Sequence, residues 1–147
     1  LCSLQIFDFK AGDGHCVLTL PFKNATRLIG SIYQTDEVKL LDISDTSNVQ
    51  LLHTTTLPRK VGPHATVLAP GERLLAIATY YVQHDHGLGF TPPFTDVAEK
   101  GIRLFTVADD GNSITSHPKV PYIDFKSLFP HKGTARPHGM TFKAVPV

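Results

Sequence analysis

Three histidines share one local context. His15, His64 and His138 each follow a glycine or a proline, and each stands directly before a short apolar run: GDGHCVLTL, VGPHATVL and ARPHGMTF. A neutral imidazole nitrogen suits copper, zinc or iron, and ligands carried on separate strands form a rigid set of donors. The plainer alternative is that a histidine before a strand closes the turn and hydrogen-bonds its neighbour, as structural histidines do in WD-type repeats. A second cluster, His84 and His86 in QHDHGLGF, lies among Gly87, Gly89, Pro92 and Pro93. That composition makes it a loop, either a lid with extra metal ligands or a solvated surface turn.

Other chemistry is sparse, and no catalytic side chain is assigned. The chain has no serine–histidine or cysteine–histidine nucleophile motif and no phosphate loop. Cys2 and Cys16 are too few for a disulfide framework, which leaves a single bridge between them open. Asn24-Ala25-Thr26 is a glycosylation sequon that matters only in a secreted chain. Asp109-Asp110-Gly111-Asn112 reads as a tight turn, and Asp42 and Asp45 as local caps of the turn SDTSN. Arg27 and Arg73 occupy equivalent, structural places, while Arg136 beside His138 pairs with an acid or binds an anion. Tyr80, Tyr81, Phe90 and Phe94 belong to the core or to an apolar pocket near the lid.

The elements that must position these groups are strands. Apolar residues come in runs of four to eight, rich in Val, Ile, Leu, Thr and Tyr and punctuated by Gly, Pro, Asp and Asn. The one helical candidate is a short turn around DFKSLF. Two segments then match piece by piece: HCVLTL with HATVLAP, RLIGSIY with RLLAIATY, EVKLLDIS with GIRLFTVA, and VQLLHTTTLP with SITSHPKVPYIDF. The spacing from His15 to His64 lies near the ~40–50 residue period of propeller blades. The next interval is longer because QHDHGLGFTPPFTDVAEK is inserted between the second and third strands.

The expected fold is therefore all-β, built of antiparallel four-stranded β-propeller blades, a partial propeller of about two to three blades. Residues 1–14 would end a preceding blade, 15–58 and 64–125 would form two blades, and 126–147 would start the next. The second blade carries an inserted loop at 83–100. An up-and-down meander puts the entry to the first strand and the loop between the second and third on one edge. His15, His64 and His138 would then ring one mouth of a channel, with His84 and His86 above it.

With 147 residues, 41% apolar and 18% charged, the chain is long and apolar enough for one folded domain. A net charge of +1 with no basic block argues against a dedicated nucleic-acid or membrane-surface partner. No apolar run reaches the ~20 residues of a membrane span and no signal peptide is visible, so a cytoplasmic location is expected. The opening strand-like LCSLQIFDF reads as a piece of something longer. Two blades cannot close a ring, and open sheet edges invite pairing, so self-association or docking with remaining blades of a longer chain is expected.

Several landmarks resemble the C-terminal part of the selenium-binding protein family, whose members include methanethiol oxidases. LLDISDTSNVQLL, GPHATVLAPGERLLAIATYYV, FTPPFTDVAEKGIRLFTVADDGNSIT, PKVPYIDF and ARPHGMTF occur in the family's order, between roughly residue 26 and residue 143. The resemblance implies a multi-bladed β-propeller. It further implies a copper-dependent oxidoreductase (iron and zinc being the alternatives) acting on a small thiol or another small molecule. The family's oxidases convert methanethiol, O2 and water to formaldehyde, hydrogen sulfide and hydrogen peroxide. His138 carries over as the candidate functional histidine. His64 stands where many relatives carry glutamine, and His15 has no clear counterpart. A non-catalytic propeller scaffold and a different small-molecule enzyme using the same mouth are the competing readings.

Overall fold

Alternating aliphatic runs fold into two antiparallel sheets that stack face to face. The computed structural model describes residues 17–80, 99–131, 137 and 139–143. The first sheet is a meander of β1 (Val17–Phe22), β2 (Arg27–Ile32), β3 (Glu37–Asp42) and β4 (Gln50–Thr56), in that spatial order. The second runs β5 (Pro63–Leu68), β6 (Leu74–Thr79), β7 (Gly101–Val107) and β8 (Ile114–Ser116). A short fifth strand, β9 (Tyr122–Asp124), pairs with β7. The four segment pairs matched in the sequence thus fall on β1 and β5, β2 and β6, β3 and β7, and β4 with the β8–β9 edge.

That outer edge departs from a single fourth strand. Pro118 and Pro121 have no N–H to give to a ladder, and the segment breaks between β8 and β9. At the break the His117 Nδ1 accepts the Val120 N–H at 3.1 Å. The helical turn near DFKSLF is present as α1 (Phe125–Leu128), capped by Asp124, whose carboxylate accepts from the N–H groups of Lys126 and Ser127. No helix among the described residues is long and apolar enough to cross a membrane.

The turns are built by short polar side chains. Asp42 accepts from both the N–H and the hydroxyl of Ser44, at 2.9 and 2.6 Å, and Asp45 does the same with Ser47. Those bonds, the Ser44 and Ser47 hydroxyls foremost, hold both carboxyls below the ordinary value. Asp110 accepts from the Asn112 N–H, with Gly111 at φ 72, so this stretch is the tight turn its residues announce. Arg27 pairs with Asp42 at 3.0 Å and donates to Asn112, and Arg73 pairs with Asp109; both arginines join turns.

The core lies between the sheets. Ile29, Val38 and Leu40 on one face meet Leu75, Ile77, Phe105 and Val107 on the other, with Phe22, Leu57, Val61 and Ile114 closing the rim. β5 packs on β1 and β2, so the first strand of the second sheet lies against the first two strands of the first. Ile32 and Leu41 point away from this interface, by strand alternation and the register, yet are also fully buried. The middle strands β2 and β3 are therefore buried on both faces.

Candidate functional site

Because every strand reverses direction, one edge of the two sheets collects the β2–β3 turn, the 57–62 linker, the start of β5, the end of β6 and the start of β7. His64 opens onto this edge. Pro63 pairs with Thr79 and Thr66 with Ile77, so His64 and Ala65 together face the single residue Ala78. That is the two-against-one count of a β-bulge, a device that re-aims a side chain. It also lets both Pro63 and Leu68 share the face turned toward the first sheet, which an unbroken alternation would forbid.

Three contacts fix the bulge. The Ser31 hydroxyl, on a residue with 0% exposure, crosses the interface and donates to the His64 carbonyl at 2.7 Å. The Tyr80 ring lies 5.3 Å from the imidazole, tilted by 50°, and the Tyr80 N–H donates to Gly62 O at 2.9 Å. The imidazole Nδ1 is itself buried.

The linker entering β5 is held by one carboxylate. Asp36 accepts the Lys60 N–H at 2.8 Å and the Gly62 N–H at 2.7 Å, while its carbonyl accepts the Leu57 N–H at 2.8 Å. Lys60 and Gly62 both have positive φ, so the linker curls around this acceptor. Asp36 is only 9% exposed.

The return from the inserted loop is equally well tied. The Thr79 hydroxyl accepts the Gly101 N–H at 2.8 Å and donates to Gly101 O at 3.1 Å. The Tyr122 hydroxyl accepts the Lys100 N–H at 2.9 Å, and burial pushes its pKa above the ordinary 10.0 against the opposing pull of that bond. Arg103 pairs with Glu99 and lies over the Tyr122 ring, 5.4 Å from its centre.

Of the five histidines expected to bind metal, the structure places His64; His15, His84, His86 and His138 lie outside the described residues, as do Cys2, Cys16, Tyr81, Phe90, Phe94 and Arg136. Among the described residues no group of three or more His, Cys, Asp or Glu is arranged to hold a metal ion. His64 on its own has the right chemistry for one donor position, an imidazole on a pinned backbone at an open edge. Two other histidines have structural roles: His117 at its break and His53, whose Nε2 lies 3.1 Å from Thr55 Oγ1.

Sequence reasoning did not single out Ser31, Asp36 or Tyr122. Asp36 sits in QTDE, where it resembles any turn residue, and Ser31 is one small residue inside an apolar run. At the opposite edge, a cavity of about 370 Å³ opens between Pro21, Phe22, the 67–72 turn and Phe142. A smaller one, about 170 Å³, lies under Met140–Phe142 on the far face of the second sheet. No protein-family model, curated protein or solved structure matches the chain.

Proposed function

We propose that the two sheets are consecutive blades of a β-propeller of the selenium-binding/methanethiol oxidase type, and that the edge bearing His64 is the mouth of its channel. There the protein would act as a copper-dependent oxidoreductase on a small thiol or a similar small molecule. The observation that carries this reading is the repetition of one four-stranded meander, stacked through its first strands, with a histidine set in a bulge at the entry of the second. Burial of β2 and β3 on both faces is what a blade between neighbours requires.

His64 would supply one imidazole, and His15, His84, His86 and His138 are the candidates for the others. Copper bound there would supply Lewis-acid activation of the thiol sulfur and one-electron chemistry toward dioxygen. The chain's own contribution is positional. Ser31 and the bulge hold His64, Asp36 holds the linker that delivers it, and Tyr80 gives the mouth an apolar wall. The Thr79–Gly101 and Tyr122–Lys100 bonds anchor the return from the inserted loop.

The test is metal content per chain by mass spectrometry, for the purified protein and for a His15→Ala, His64→Ala, His138→Ala triple variant, with thiol-dependent O2 uptake measured on both. Stoichiometric copper and O2 uptake, both lost in the variant, are expected. Absence of metal from the parent protein after loading would overturn the oxidase reading in favour of a binding scaffold.

A further inference from the structure

We infer that Ser31 is a positioning residue for His64: its buried hydroxyl, acting through the His64 carbonyl, selects the bulged form of β5 that sets the imidazole against Tyr80. The inference rests on the reading of His64 as a metal ligand, and adds the residue that aims it. Ser31 lies on β2 of the first sheet, whereas His64 begins the second, so the bond spans the two sheets. A serine with 0% exposure amid Ile29, Val38 and Leu40 is costly unless its hydroxyl is used, and it donates at 2.7 Å. Its acceptor belongs to the residue at which the register slips. The bond therefore ties the bulged residue itself to the opposing sheet.

The geometry gives Ser31 a consequence for chemistry as well as for stability. In unbulged pairing, the residues beyond Pro63 would slip by one, and their side chains would exchange faces. The Ser31 bond ties the bulge to the opposing sheet, and the Tyr80 ring packs 5.3 Å from the imidazole. Indirect partners of a metal ligand are worth roughly 10–100-fold in metal affinity. Ser31 acts through the backbone, which places it near the lower end.

The experiment compares Ser31→Thr with Ser31→Val. These side chains have nearly equal volume, and only threonine keeps the donor. Ser31→Ala is the second donor-less variant, and it cannot overpack the interface. The readouts are the His64 Cε1–Hε1 resonance of the metal-free protein, assigned by its loss in His64→Gln, and the Cu(II) dissociation constant. The expected result is a shifted or broadened His64 resonance and copper binding weakened about 10-fold in the Val and Ala variants, with both properties retained in Thr. Equal behaviour of Thr and Val, or an unmoved His64 resonance in folded Ala, would overturn the inference. Wild-type protein that takes up no copper, combined with a His64 resonance that moves in Val and Ala only, would remove the metal reading and leave Ser31 as the residue that positions His64.

Discussion

Removing the Asp36 carboxylate is the sharpest test of how the edge is held together. In Asp36→Ala the Lys60 and Gly62 N–H groups lose their acceptor. A hydrogen bond to a charged group contributes about 1.5–3 kcal/mol, and an abandoned buried donor adds its desolvation cost. The Gly62 bond is buried and takes the upper part of that range; Lys60 is partly exposed, can hydrate, and takes the lower. Asp36 also has φ 55, where an alanine costs about 1 kcal/mol more than a residue suited to the left-handed region. Together these give a loss of about 5–6 kcal/mol, as much as the lower end of the ~5–15 kcal/mol that keeps a domain folded.

Backbone conformation and hydrogen bonding separate in a series. Asp36→Asn keeps one acceptor and tolerates the positive φ, so it should lose only about 2 kcal/mol. Asp36→Gly loses both bonds but relaxes the backbone, and should sit about 1 kcal/mol above Asp36→Ala. Urea unfolding followed by far-ultraviolet circular dichroism measures the series, since the chain has no tryptophan. An Ala variant within about 1 kcal/mol of the parent, or one more stable than Gly, would refute the reasoning.

Acid should destabilise the protein in a defined window. Asp42, Asp45 and Asp124 are all held below the ordinary 3.8, chiefly by the hydroxyls of Ser44, Ser47 and Ser127. A carboxyl depressed in the folded state stabilises fully above its unfolded pKa and loses that contribution as pH falls through the folded one. The urea midpoint should thus hold steady above pH ~5 and decline below pH ~4, and the decline should shrink in a Ser44→Ala, Ser47→Ala double variant. An unchanged acid limb in that variant would refute the assignment. Gly101→Ala should cost about 1–3 kcal/mol or more, because a Cβ there collides with the Ile123 carbonyl and comes within 2.8 Å of the Tyr122 ring; thermal unfolding of the variant at the parent's midpoint would show the collision to be harmless.

The strands and their order were legible in the sequence because strand formation reads short apolar runs and local turn chemistry. VLTLPF, RLIGSI and EVKLLD are such runs, separated by polar turns, and each has a counterpart in the second half. The turn caps made by Asp42, Asp45 and Asp110 reach only two residues along the chain, so that role could be read without a fold. The histidine at the start of β5 was visible for the same reason.

Long-range pairings were not legible. Nothing in HATVL marks the place where two residues face one, because a bulge is a property of the partner strand as much as of its own. Nothing in LIGSIY says that Ser31 meets a carbonyl 33 positions away, nor in QTDE that Asp36 gathers donors from 60 and 62. The β8–β9 break and the pairing of β9 with β7 were not read either: SITSHPKVPYIDF was expected to form one fourth strand. The sequence determined which residues become strands and turns, since those choices are settled within a few residues of backbone. Which sheet face meets which, and so how His64 is aimed, was decided only when the two successive sheets closed on a shared apolar core.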